Sequence, residues 1–396
     1  MSSSKHDHAW HRNGPGRGND RRKTAPCLRR VGRYAASLIC CASTTFFTAS
    51  EGLSDSLRVA TFNTELGRDG PGLFLRDILR QEDPQIKAAA RVIVEVAPDI
   101  IALQGIDYDL TGLGLNAFAD VVAQTGQSYP YRFSLPSNRG SRTGLDMNGD
   151  GHVDGPDDAQ GYGEFAGAGG MAILSKYPVL EKKVQDLSQL LWRDLPDSLF
   201  PQFNGKPFPS SKVHNVQRLS TSGHWVIPIV LPDDTVISIM AFHATPPVFD
   251  GPEDRNGRRN HDEILFWQRF LDGSFGPAPQ SRFVLLGDAN LDPEDGDGRK
   301  GAIRALLSDQ RLQDPLPRGE GRREIANPEQ TGNPMLDTAD WSDPLPGNLR
   351  VDYVLPSKDW DIEAAGVHWP VGQHGAAQDA KNASRHRLVW GDLVHP

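Results

Sequence analysis

Six short segments of this 396-residue chain end an apolar run on residues suited to phosphate-ester chemistry. They are Ala60-Thr-Phe-Asn-Thr-Glu65, Asp99-Ile-Ile-Ala-Leu-Gln-Gly105, Ala241-Phe-His-Ala-Thr245, Leu286-Gly-Asp-Ala-Asn290, Arg350-Val-Asp-Tyr353 and Ser384-Arg-His-Arg387. Hydrolysing a phosphate ester takes groups that hold the phosphoryl oxygens, a group that places and deprotonates water, and something that stabilises the leaving oxygen. Asp288, Asp352, His243 and His386 are candidate acid–base groups, with Asn63, Glu65 and Asn290 beside them. Singly, each has a plainer explanation: Asp and Asn after a strand cap turns, and a lone His there is usually structural. Their number and order weigh more than any one of them.

Strands must hold these residues. The apolar runs 57–63, 99–106, 170–175, 225–231, 236–242, 283–286, 351–355 and 388–393 predict strands. Helical spacing predicts helices over 86–96, 116–124 (Asn116 as N-cap), 260–271 and 302–307. Strands this apolar need cover on both faces, so the fold class is α/β, sheet inside and helices outside. The Pro-, Gly-, Asp- and Asn-rich stretches 186–222 and 308–349 are expected to be long surface loops. No internal repeat and no dividing linker is seen.

The six segments, in their order and spacing, resemble the endonuclease/exonuclease/phosphatase superfamily of metal-dependent phosphoesterases, over roughly residues 57–394. The resemblance implies two packed β-sheets flanked by helices, a four-layer sandwich with the active site at one end. It implies that Asp288 positions the nucleophilic water, Asn290 holds phosphate, His243 binds the scissile phosphate and Asp352 orients His386. Asn63 and Glu65 would face a divalent metal, Mg²⁺ or Mn²⁺. An Asp–His pair of this kind fixes the imidazole tautomer and raises its basicity.

Two positions depart from the family pattern. Leu103-Gln104-Gly105 stands where the family has Leu-Gln-Glu, whose Glu is its principal metal ligand. Ser384-Arg385-His386 stands where the family has Ser-Asp-His. Three readings stay open. Asp107, on the strand face of Gly105 by the two-residue period, or Asp109 supplies the missing carboxylate. Alternatively, Arg385 fills the metal's place and binds phosphate bidentately; Gly105→Glu with Arg385→Asp should then create Mg²⁺ binding. Or the protein keeps the fold and a phosphate pocket without catalysis. The expected function is an exported phosphoesterase cleaving a phosphodiester or phosphomonoester, the alternative an inactive phosphate- or calcium-binding module.

A second metal signal lies in Asp146-Met-Asn-Gly-Asp-Gly-His-Val-Asp154, followed by Asp157. Asp146, Asn148, Asp150, Asp154 and Asp157 have the spacing of a calcium loop, with Gly151 at the sharp turn. Arg258 and Arg259 follow His243 closely and are candidates, with Arg385, for a substrate phosphate.

Residues 1–33 carry nine Lys/Arg against Asp7 and Asp20, a net of +7, so the whole-chain charge of −9 leaves −16 on 34–396. A body this acidic repels a phosphate backbone, which argues against tight nonspecific DNA binding. The basic start, the uncharged run 34–50 and the small residues near Ala49 follow the plan of a secretory signal. The expected domains are therefore 1–53, a basic region with a signal-like apolar segment, and 54–396, the phosphoesterase-like body. The location is secreted or periplasmic, or anchored to a membrane if that segment is retained, and the mature chain begins at about 50–57. No later segment is apolar enough to span a membrane. Cys27, Cys40 and Cys41 are the only cysteines, so the body needs no disulfide.

Overall fold

A computed structural model describes residues 56–321 and 327–394; the expected signal segment lies outside them. The strands of two main sheets are, in chain order, β1 (Leu57–Asn63), β2 (Ile100–Ile106), β3 (Tyr131–Phe133), β4 (Gly170–Ser175), β5 (Gln185–Asp186), β6 (His224–Val230), β7 (Val236–His243), β8 (Phe283–Asp288), β9 (Asp352–Pro356), β10 (Asp361–Val367) and β11 (Val389–Val394). One sheet runs β10-β11-β1-β2-β4-β3, the other β9-β8-β7-β6-β5. Helices α1 (Leu73–Arg80), α2 (Pro84–Val96), α3 (Leu113–Thr125), α4 (Ser211–His214), α5 (Arg255–Leu271), α6 (Gly301–Leu307) and α7 (Ala376–Ala383) complete the chain.

The two-residue period of the strands sorts their side chains into layers. Val59, Ile100, Ala102, Ile227, Ile239, Val284, Leu286 and Val354 fill the space between the sheets. Ala60, Phe62, Ile101 and Leu103 face the other way, against α1, α2 and α3. Met240, Phe242, Leu285 and Tyr353 pack under α5 and α6. The result is the expected four-layer α/β sandwich. Burying each large aliphatic side chain contributes about 1.5–3 kcal/mol.

Six of these elements escaped the sequence pattern: α1, α4, α7, β3, β5 and β10. α7 (AAQDAKNA) buries only Ala377, Ala380 and Ala383, and β10 is an edge strand with only its last two residues buried, so neither has an apolar stripe to read. α5 starts at Arg255, five residues before the expected 260, because Asp250 accepts the Asn256 N–H from outside the helix at 2.5 Å. Among the described residues no helix is long and apolar enough to cross a membrane.

Candidate active site

Ladder register assembles the centre. β8 pairs in parallel with β7, setting Asp288 opposite His243, and antiparallel with β9, setting Asp288 opposite Asp352. All three share strand faces with the residues that fill the inter-sheet layer, such as Ile239, Leu286 and Val354. Asn63 ends β1 in the other sheet on the same inward phase as Val59. Its Nδ2 crosses to donate to Asp288 Oδ2 at 2.8 Å.

Asp288 also accepts from the Asn290 amide N–H (2.7 Å) and Asn290 Nδ2 (3.2 Å), with His243 Nε2 3.4 Å away. His386 Nδ1 donates to Asp352 Oδ2 at 2.9 Å, and that oxygen also accepts from Thr338 Oγ1 at 2.9 Å. The Trp341 ring stands edge-on to His386 at 5.3 Å. Thr338 and Trp341 come from the stretch expected to be a loop. Nothing in its sequence marks them; the segment docks through the Ala339–His386 bridge and the bond from Arg387 N–H to the Thr338 carbonyl at 2.7 Å.

Electrostatics set the acid–base groups apart. Burial lifts Asp288 to about 7 against the pull of the His386 charge. Burial alone would lower His386, but Asp352 and Asp288 outweigh it and raise it to about 9. His243 is held well below its ordinary value by burial, then by Arg139 and His386. Asn63, His243, Asn290 and His386 line a cavity of about 1340 Å³. Asp288 and Asp352 lie behind them with no exposed side-chain surface.

The other expected site residues have different surroundings. Glu65, at φ 48°, accepts from Ser384 Oγ (3.0 Å), Arg385 N–H (2.8 Å) and Arg385 Nε (2.8 Å), and Arg385 Nη2 closes the pair. Burial pushes the Glu65 carboxyl up, but the Arg385 bond prevails and the net shift is downward. Asp107 is buried outside the cluster, its oxygens taken by the backbone N–H groups of Arg68 (2.9 Å) and Gly169 (2.8 Å). Asp109 likewise accepts from Leu113 N–H (3.0 Å) and Gly114 N–H (2.8 Å) at the start of α3. Arg258 donates to the Glu253 carbonyl (3.0 Å), and Arg259 to the carbonyls of Leu219 (2.8 Å) and Gln160 (2.6 Å). Neither guanidinium bonds a residue of the cluster; both are held by loop carbonyls.

In the expected calcium loop, the carboxylates of the described residues do not bring three ligand atoms within 4.8 Å of one another. Asp146 accepts the N–H groups of Gly149 and Gly151, Asp150 that of His152, and Asn148 bonds Asp150. Asp154 and Asp157 complete no set with them: among the described residues Asp288, Asp352 and His386 alone bring three acidic, His or Cys ligand atoms within 4.8 Å. Buried Asp158, unmarked in the sequence reading, organises this loop by accepting from Met147 N–H and Gly155 N–H, both at 2.8 Å.

The endonuclease/exonuclease/phosphatase family model matches residues 60–386. The chain belongs to the endonuclease/exonuclease/phosphatase family. This family of hydrolases is represented among similar solved structures by the endonuclease/exonuclease/phosphatase from Beutenbergia cavernae, at 19% identity and TM-score 0.50, covering 86% of this chain and 72% of that one. A family protein from Leptotrichia buccalis matches at 16% identity and TM-score 0.48, covering 85% and 99%. Sphingomyelinase C from Streptomyces griseocarneus matches at 16% and 0.45, covering 85% and 99%. Identities this low speak for the fold alone. Comparison with the curated proteins finds no match.

The endonuclease/exonuclease/phosphatase family is generally dependent on a divalent metal, which the residues at its usual position here do not fit. Glu65 is the only carboxylate left there, and Arg385 and Ser384 already engage both its oxygens. Gly105 sits at φ 68° in a bulge of the β2–β4 ladder, and a Cβ there would lie 2.6 Å from Asn63 Oδ1 and 2.9 Å from the Glu65 nitrogen. The backbone itself is therefore set against the family's Glu. The buried Asp288–Asp352–His386 group offers ligand atoms, but its oxygens are bonded to one another's neighbours; Asp352 Oδ1 alone lacks a partner. Mg²⁺ keeps several waters and wants an octahedral oxygen set, which a group whose two carboxylates have no exposed surface does not provide.

Proposed function

We propose that this protein hydrolyses a phosphate ester, a phosphodiester or a phosphomonoester, by in-line attack of water. The observation that carries the reading is the continuous cluster in which Asp288 meets Asn63, Asn290 and His243 beside the Asp352–His386 pair. Around pH 8 Asp288 is mainly ionised and His386 mainly protonated, the states a base and an acidic partner need. Asn63 and Asn290 each give Asp288 an amide N–H, so a phosphoryl group that enters the cavity and draws those donors uncovers Asp288 to water. Asp288 takes a proton from that water, whose oxygen attacks phosphorus. The ester P–O bond breaks, and the leaving oxygen takes a proton from water in the cavity. The His386 imidazolium balances the charge on the phosphoryl oxygens.

The Glu65–Arg385 pair and Gly105 favour a second reading, phosphate binding without turnover. Hydrolysis of bis(p-nitrophenyl) phosphate in EDTA, Mg²⁺ and Mn²⁺ separates the two. Turnover that falls about 10²–10⁴-fold in Asp288→Asn supports catalysis; no turnover above that variant, under any ion, supports binding alone. Export rests on the N-terminal pattern, and intact mass of the protein from its own host decides it. The acidic body disfavours long nucleic acid as substrate.

A further inference from the structure

Five guanidinium groups line the cavity, those of Arg68, Arg139, Arg255, Arg259 and Arg385. Four are held by the protein. Arg68 bonds Asp77 and Asp83, Arg255 the Met147 carbonyl, Arg259 the carbonyls around Leu219, and Arg385 the Glu65 carboxylate. The Arg139 side chain donates no hydrogen bond to any described residue, and its Nε is buried without a partner. A buried donor left unbonded costs about 1–3 kcal/mol, a state expected where the partner arrives as ligand.

The surroundings hold this guanidinium in place without bonding it. It lies against Gly169, at φ 49°, where a Cβ would stand 3.3 Å from both Cζ and Nε. Asp107 Oδ1 holds the Gly169 N–H at 2.8 Å, fixing that shelf; burial lowers the guanidinium's pKa, and the charges of Asp107 and Asp288 act against that. His243 and Asn290 line the same cavity, and the Arg139 charge acts on His243 as that of Asp288 acts on Arg139.

We propose that Arg139 binds the non-bridging phosphoryl oxygens in the role that a divalent metal fills elsewhere in the family, so that phosphate binds here without a metal. A guanidinium presents two parallel N–H donors to two oxygens and carries its charge at every working pH. It supplies charge and orientation; it does not lower the pKa of water, which leaves proton removal to Asp288. This inference rests on the phosphoesterase reading for its substrate, but phosphate binding can be measured without turnover.

The experiment is calorimetric titration of the full chain with inorganic phosphate, in EDTA and then in Mg²⁺. Binding in EDTA, unchanged within about twofold by Mg²⁺ and weakened roughly tenfold or more in Arg139→Met, is the expected result for a charge-assisted bidentate contact. Binding that appears only with Mg²⁺, equal affinity in Arg139→Met, or no binding by the parent in either condition overturns it. Since Arg139→Met removes no side-chain hydrogen bond and relieves an unbonded buried donor, its melting temperature should be no lower than the parent's. If that variant fails to fold, Arg139→Lys takes its place: weaker phosphate binding with intact melting supports bidentate recognition, and unchanged affinity overturns it. Phosphate binding that depends on Arg139 in a protein that hydrolyses nothing would uphold this inference and refute the catalytic reading.

Discussion

His243, Asp288 and Asp352 stand abreast on three paired strands, while Glu65, Gly105 and Arg385 face the same cavity from places where the chain is leaving its ladders. In the first region a one-residue slip would turn a whole strand's side chains to the opposite face and undo the core between the sheets. Chemistry and stability there depend on the same register. In the second, Glu65 and Gly105 both have positive φ, and Gly105 lies in a bulge. Side chains there do not set the register of the sheets, and a glycine and an arginine stand where the family pattern has a Glu and an Asp. On the proposed reading the difference separates two functions that a metal enzyme combines: acid–base geometry stays on the strands, and charge stabilisation passes to the Arg139 guanidinium.

The sharpest break in that comparison would come from the strand-borne region. Asp288→Asn should lower kcat on a generic phosphodiester by about 10²–10⁴-fold with little change in melting; a smaller loss would mean that the register-built trio is structural. Next is the pH profile. Asp288 is needed ionised, so the rate should rise as pH passes about 7, and His386 is needed protonated, so it should fall above about 9. Each limb should approach a tenfold change per pH unit, and a single acid limb near 4 would contradict both shifts.

In the loop-borne region, Gly105→Glu should destabilise the fold by about 1–3 kcal/mol, from a strained positive φ and the contact with Asn63. Pairing it with Arg385→Asp should therefore not produce Mg²⁺ binding by calorimetry, contrary to the expectation from sequence. The smallest effect is assigned to Glu65→Gln. Arg385 is 62% exposed, so losing the ion pair should change denaturant stability by under about 1 kcal/mol; a larger loss would show that this corner supports the sheets after all.

Much of the fold was legible because strands such as 236–242 and 283–286 are apolar throughout and bounded by polar turns. β10 and α7 were not, since an edge strand and a helix packed through alanines carry little apolar contrast. Asn63, His243, Asp288, Asn290, Asp352 and His386 could be picked out because each stands at a strand end or just beyond one. Thr338 and Trp341 could not, because their place depends on a loop docking against Arg387 and His386.

Residue type and order along the chain determined which chemistry was at hand: two Asp, two His and two Asn placed by short-range alternation and turn geometry. Only the tertiary structure decided which cations face a substrate. Arg139, Arg259 and Arg385 look alike in sequence, but Arg259 is bonded by carbonyls 39 to 99 residues away, and Arg385 by a carboxylate 320 residues away. Hydrogen-bond saturation is set by such distant partners, so the guanidinium left for phosphate becomes visible only when the chain is folded.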